Sequence, residues 1–476
     1  MNKHTFSSFN TYAMKVFRGK RVVVDGEIIP ATVFVEGGKI VDIQRNIYSQ
    51  DSNSVELESE EVVDAGDLVL MPGVVDSHVH VNEPGRTAWE GFSTATKAAA
   101  VGGITTIVDM PLNSIPSTTS LSSLNIKLDS ARGQCYVDVG FWGGVVPGNQ
   151  DELVPMVNAG VAGFKCFLIN SGVEEFQHVT EEDLHIAMKQ LVGTESVLLF
   201  HAEVDCAGLG QNNTKEETAE SADDRKYQTF LESRPDKMEV EAIKLVCKLC
   251  LQYKVRCHIV HLSACEALPI IQSARDSGAP LTVETTHHYL NLASENIPDG
   301  ATYFKCCPPV RNKKNRDLLW KAVMSREIDM VVSDHSPCTS DLKHLDKGDF
   351  LAAWGGISSV QFGLSLFWTA GQQYDVTILD LCRCLCENTS KLAGLGSQKG
   401  SITVGRDADF VIWDPEKSWS VKEQMIQHKN KLTPYIDTTL KGNVSKTILR
   451  GNVVYDEHTG LSEKPFGQLL LDIKFC

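Results

Sequence analysis

The sequence predicts an α/β protein: a (β/α)8 TIM barrel over residues 71–395, with a smaller β-sandwich domain built from both chain ends, 15–70 plus 396–465. Three observations predict it. Eight short, nearly continuous apolar runs alternate with helix-like segments through the middle of the chain, the pattern of parallel strands buried on both faces. The two ends instead carry short alternating strands with Gly and Asp turns, and chain termini commonly lie close together. No GxGxxG follows any strand run, which leaves an open dinucleotide-binding sheet without support.

At the ends, KRVVVDGEII, ATVFVEGGKIVDIQ and VELESEEVVDAGD pair in character with GSITVGRDADFVIWDP and KTILRGNVVYDEHTG. Both sets suit antiparallel strands with one solvated face. The eight barrel runs are LVLMPGVVDSHVH, ITTIVDMPL, YVDVGFWGGV, AGFKCFLI, SVLLFHAE, VRCHIVHLS, PLTVETTHHYL and DMVVSDHSPC. Between them, AWEGFSTATKAAAVGG, EEDLHIAMKQLVG, MEVEAIKLVCKLCLQ and NRDLLWKAVMSRE read as helices. The polar, acidic segment 204–236 follows a strand end directly, the place of an active-site lid or of a disordered excursion, with a lid as the favoured expectation.

Composition narrows the function. At 42% hydrophobic and 22% charged, the chain has a globular balance. Lys plus Arg number 45 against 61 Asp plus Glu, a net charge of −16 that argues against nucleic acid or anionic lipid as a partner. No apolar run reaches the length of about 20 that spans a membrane. A small-molecule enzyme is the expectation. The 14 cysteines fall mostly inside apolar runs, as reduced buried thiols do. Cys247 and Cys250 form a CxxC, but on one face of an amphipathic helix and with no second pair, so core packing is expected. The N-terminus lacks a secretory apolar core, and Asp472–Cys476 is not a peroxisomal address of SKL type. Lys3, Lys15, Arg18, Lys20 and Arg21 precede the first acid, Asp25, which keeps mitochondrial import open beside a cytoplasmic or peroxisomal location.

The chemistry is expected at the C-terminal ends of the barrel strands. His78 and His80 close the first run, and strand alternation aims residues i and i+2 at one point, so both imidazoles can face one ion. His201 ends the fifth run, His261 the sixth and Asp334 the eighth. Lys165 lies inside the fourth, between Phe164 and Cys166, where an unpaired ammonium is expensive. One histidine at a strand end is usually structural. Five such residues and a buried lysine at one barrel mouth are hard to gather by chance. His4, His178, His185, His344, His428 and His458 have no strand-end placement and are expected at the surface.

Together HVH after MPGVVDSH, GFKCFL, FHAE, IVHLS, SDHSPC and Ser233-Arg-Pro235 resemble the cyclic amidohydrolases, the family of dihydroorotases, dihydropyrimidinases, hydantoinases and allantoinases. The resemblance covers nearly the whole chain, the split terminal domain included. Asp109-Met-Pro-Leu-Asn113, Ser333–Cys338 and Ala353–Ile357 are closest to the members that open allantoin. It implies hydrolysis of the hydantoin ring of allantoin to allantoate by a metal-bridged hydroxide, a step of purine breakdown. It also implies two divalent ions, zinc by ligand type, with manganese, cobalt and iron suited to similar sites. His78, His80 and Asp334 would hold one ion, His201 and His261 the other. Lys165, carboxylated by CO2 to N6-carboxylysine, would join both. Asp334 would act as general base and then acid. Asn113, Arg86, His335 and Cys338 are the expected substrate-facing or supporting residues, with His288 a weaker candidate because THHYL departs from the Pro-His of many relatives. A homotetramer or dimer is implied as well. The rival readings are a dihydropyrimidinase or hydantoinase acting on a related ring, and a non-catalytic assembly protein of the same fold that has lost its ligands.

Overall fold

The computed structural model describes residues 13–48, 61–206 and 223–471. The core of the expected lid, 207–222, lies outside the described residues, as do Lys3, His4 and the C-terminal 472–476. The N-terminal part supplies strands β1 (Lys15–Val24), β2 (Glu27–Glu36), β3 (Lys39–Arg45), β4 (Glu61–Asp64) and β5 (Val69–Pro72). The barrel follows as β6 (Val74–Val79), β7 (Ile104–Asp109), β8 (Asp138–Phe141), β9 (Gly143–Gly144), β10 (Gly163–Phe167), β11 (Val197–His201), β12 (Arg256–Ile259), β13 (Leu281–Thr286) and β14 (Met330–Val332). The C-terminal part adds β15 (Phe410–Ser420), β16 (Thr439–Leu449), β17 (Asn452–Asp456) and β18 (Gly460–Leu461).

Barrel strands pair parallel in two runs, β6-β7-β8 and β9 through β14. β8 and β9 are the two halves of one strand, interrupted at Trp142, whose indole nitrogen donates to Ser77 O at 2.9 Å. The eight runs of the sequence are thus eight barrel strands. The barrel closes through a parallel bridge between Val79 and His335, backed by the His80 amide donating to His335 O at 2.8 Å.

The strands form because Val, Ile, Leu and Phe face both the barrel interior and the helix layer. β10 and β11 are buried at every residue. The helices obey the same logic with a different period. Glu181–Leu191 starts where Thr180 accepts from the Asp183 amide and Asp183 accepts from the Thr180 amide, a capping box. It buries Leu184, Ala187, Met188 and Leu191, spaced three, four and seven apart. Each of those leucines contributes about 1.5–3 kcal/mol by leaving water. Cys247 and Cys250 lie in the helix Asp236–Tyr253 and are buried, and every described cysteine is a free thiol.

The terminal strands make one nine-stranded sheet, in the order β18-β17-β16-β15-β5-β1-β2-β3 with β4 on β1. Phe17, Val33, Leu70, Phe410, Ile412 and Ile448 pack into a core of its own, with the Phe17 and Phe410 rings 5.1 Å apart. One expectation needs correction here. β15 has no solvated face over Phe410–Trp413, nor β16 over Thr447–Leu449, although Glu416, Lys417, Ser418, Thr439 and Lys441 stay exposed: Val411, Trp413, Val444 and Leu449 join the barrel core, and Trp413 meets Trp368 edge-on at 5.4 Å. The barrel helices cover the face that alternation alone would give to water. A buried ion cluster ties the two parts. Lys399 Nζ donates to Asp138 at 2.7 Å, Asp407 at 2.8 Å and Asp409 at 2.7 Å. Those three carboxylates stand close enough to hold a cation, and the ammonium is the cation they hold.

Candidate metal centre

At the C-terminal mouth of the barrel, β6 and the turn after β14 bring His78, His80 and Asp334 together. Asp334 Oδ1 is 3.2 Å from His78 Nε2 and 3.5 Å from His80 Nε2. Across the mouth, His201 Nδ1 and His261 Nε2 approach to 3.1 Å. Lys165, from β10, opens into the same cavity, of about 230 Å3, and all six residues line it. His261 and Asp334 take left-handed backbone angles, φ 39° and 45°, as the chain turns off each strand end. Such angles cost non-glycine residues about 1–3 kcal/mol and gather where side chains must be aimed.

The nitrogens that face away from the cavity are held. His78 Nδ1 donates to Glu284 Oε1 at 2.5 Å, and His201 Nε2 donates to Glu203 Oε2 at 2.7 Å. Each carboxylate fixes the tautomer so that the opposite lone pair points inward, the outer-shell pattern of histidines that bind metal. Glu284 in turn lies 3.1 Å from His258 Nε2. The inward His78 Nε2 and the His261 Nδ1 make no hydrogen bond of acceptable geometry. Asn113 Nδ2 is 3.5 Å from His80 Nδ1 while its Oδ1 lacks a partner. Rotating the amide lets Oδ1 accept from His80 Nδ1 and frees Nε2 for a cation.

The charges agree with that fit. Burial, followed by the Lys165 charge, holds His201 and His261 well below the ordinary imidazole range, so both keep lone pairs. Burial lowers His80 to about 4. At His78 burial also pulls down, but Asp334 and Glu284 outweigh it and raise the ring to about 9; the proton stands where a metal cation would serve both carboxylates. Burial opposes the Asp334 charge, yet His78 holds that carboxyl well below its usual range. Burial lowers Lys165 to about 8, and among the described residues no carboxylate lies within ion-pair distance of it. Donor set, spacing and unsatisfied atoms fit a cationic centre.

Not every expected residue reaches the cavity wall. Asn113 does. Arg86 is engaged by Glu175 and by Asn113 O, with its guanidinium 5.0 Å from the Trp89 ring centroid. His335 turns away: its Nδ1 accepts from the Ser359 amide at 3.0 Å and its Nε2 faces Glu90 at 3.2 Å. Cys338 is buried and does not line the cavity, and burial raises its thiol. His288 is fully buried with neither ring nitrogen bonded. His428 corrects a surface expectation: it is 0% exposed, 5.3 Å from the His335 ring. Its segment, between β15 and β16, folds over the barrel, a tertiary contact that local sequence does not encode.

Glu284 escaped the sequence reading, while Glu203 and Arg234 entered it only within FHAE and Ser233-Arg-Pro235, with no role of their own. A carboxylate inside a buried run was the available signal for Glu284, the same signal that marked Lys165.

A match to the Amidohydrolase family extends over residues 69–454, most of the chain. The chain belongs to that family. It is 57% identical over 386 residues to the mitochondrial allantoinase of Aquarana catesbeiana, covering 81% of this chain and 77% of that one. It is 47% identical to the allantoinase of Saccharomyces cerevisiae, covering 95% of this chain and 97% of that one. Among solved structures it resembles the L-hydantoinase (dihydropyrimidinase) of Arthrobacter aurescens, with a TM-score of 0.86 and 28% identity over 97% of this chain and 100% of the other. As an amidohydrolase with this barrel, it is a hydrolase of cyclic amides. Among the described residues no helix is long and apolar enough to cross a membrane.

Proposed function

We infer that the protein opens the hydantoin ring of allantoin to give allantoate. The observation that carries this is the contrast in relatedness. Allantoinases of amphibian, yeast and plant origin share 57%, 47% and 41% identity over most of the chain, whereas the hydantoinase and dihydropyrimidinase structures share 28% and 26%. The histidine groups support a hydrolytic centre and do not by themselves choose the ring.

His78, His80 and Asp334 would hold one divalent ion and His201 and His261 the other; zinc suits this donor set. Lys165 supports the reading as a carboxylation site. Burial leaves part of the amine neutral near pH 8; its nitrogen attacks CO2, an N–C bond forms, a proton leaves, and an anionic carbamate replaces a cation that lacks a counter-ion. When bound, the ion pair lowers the pKa of water towards about 7 and polarises a carbonyl oxygen. Asp334 stands beside both His78 and His80, placed to take a proton from the attacking water and return it to the departing ring nitrogen. Asn113 would contact the ring from the cavity wall. The division into 15–70 plus 396–465 and 71–395, a dimeric or tetrameric assembly, and an organellar or cytoplasmic location belong to the same proposal. The name of the amphibian relative supports the mitochondrial option.

Turnover of allantoin against dihydrouracil, with ion content measured on the same sample before and after chelation, tests the reading. Efficient allantoin hydrolysis with close to two ions per chain is expected. Preference for dihydrouracil would favour the dihydropyrimidinase reading, which rests on the shared fold with that enzyme of Brevibacillus agri at a TM-score of 0.84.

A further inference from the structure

The cavity wall carries more positive charge than the histidine groups use. Lys305 and Arg234 line it, and Lys343 stands behind it. Both lysines are spent on the main chain. Lys305 Nζ donates to Leu351 O at 2.9 Å and Ala353 O at 2.5 Å, and Lys343 Nζ to Trp354 O at 2.9 Å and Gly356 O at 2.5 Å. Arg86, near the mouth, is committed to Glu175 and Asn113 O.

Arg234 differs from all three. Its Nη1 donates to Glu203 Oε2 at 2.6 Å, the same oxygen that accepts from His201 Nε2 at 2.7 Å. Among the described residues its guanidinium has no other partner, and its side chain stays 23% exposed. Its main chain is pinned, because Arg234 O accepts from Arg311 Nη1 at 2.7 Å. A guanidinium offers five N–H donors in a rigid planar fork. One edge is therefore committed beside the histidines and the other is free at the cavity.

We propose that Arg234 selects the exocyclic urea arm of the substrate, its free edge donating to the arm's carbonyl oxygen. The proposal rests on the allantoin reading and deepens it. A neutral carbonyl suits this edge better than an anion, because Glu203 already compensates the guanidinium charge. The arm is what separates allantoin from hydantoin, so Arg234 discriminates between ligands that share the reacting ring.

Arg234→Lys keeps a cation for Glu203 and removes the second edge; Arg234→Met removes both. For each, kcat and KM are measured with allantoin, together with the inhibition constant of hydantoin and the ion content. Arg234→Lys is expected to raise the allantoin KM about 10-fold or more, the scale of a lost hydrogen bond to a charged donor. Its kcat, hydantoin inhibition constant and ion content should stay within about threefold of the parent. Arg234→Met should show the same discrimination between the two ligands. An unchanged allantoin KM overturns the proposal. Equal weakening of allantoin and hydantoin, or loss of ions, also overturns it, by showing that Arg234 acts through Glu203 on His201. A parent protein without allantoin turnover removes the substrate reading itself, an outcome visible before any variant is made.

Discussion

Asp334 faces both His78 and His80, and in the proposed mechanism the same carboxylate would also carry the proton. Replacing it with Asn keeps the shape and removes the basicity. Asp334→Asn is expected to fold normally by circular dichroism and to lose a factor of about 10² or more in kcat; near-parental turnover would sink its assignment. His78 sets a pH dependence. With Asp334 and Glu284 raising the ring to about 9, the proposed ligand would have to lose a proton before its nitrogen could bind a cation. Below that pH the metal competes with the proton, so affinity falls as pH falls, by up to about tenfold per unit. Competition with a chromophoric chelator at pH 6, 7 and 8 reads this directly, and a flat profile would contradict it. At this scale the strand-end positions of His78, His80, His201, His261 and Asp334 were legible, because each closes a recognisable apolar run. Glu284 was not singled out, and Glu203 and Arg234 stood inside motifs without a role, since their importance lies in which histidine or cavity they meet, a matter of three dimensions. The left-handed angles at His261 and Asp334 have no side-chain signature at all.

Among the elements, β10 shows how tightly backbone and centre are coupled. Gly163 opens the strand at φ 152°, and a Cβ there would stand 2.5 Å from Val197 O and 2.9 Å from the Trp142 ring. Lys165 lies two residues on. Gly163→Ala should cost about 1–3 kcal/mol through overpacking at the β10–β11 seam. Chemical denaturation measures it, and a loss below about 0.5 kcal/mol would show that the seam yields. All eight barrel strands could be read from their apolar runs, and four helices from their periodicity. The break of the third strand at Trp142 could not, because the apolar character of YVDVGFWGGV runs on through Phe141, Trp142 and Val145 without a polar residue at the break. Nor could the burial of both faces of β15 over Phe410–Trp413, where alternation competes with packing against a helix some 40 residues earlier in the chain.

For the whole molecule, the join between barrel and terminal sheet depends on the Lys399 cluster. Lys399→Met would leave three buried carboxylates without their ammonium, a loss of about 3–5 kcal/mol for a broken buried ion pair. The expected result is a lower midpoint in thermal unfolding, with allantoin turnover retained below the transition. An unshifted midpoint would mean that Arg450 and Lys39, which also reach Asp138 and Asp407, suffice. Pairing of the two chain ends was legible from their shared strand character. This cluster was not, since Asp138 and Asp407 are 269 residues apart.

Barrel closure at Val79–His335 has a consequence for biosynthesis. The bridge joins the first barrel strand to the turn after the last, and His78, His80 and Asp334 flank it on both sides. A chain still emerging from the ribosome holds the two histidines for the time taken to add more than 250 residues before their aspartate exists. On the proposed ligand assignment, complete metal capture at this position would follow closure, and a nascent or truncated chain ending before residue 334 would lack one of the three groups that gather there.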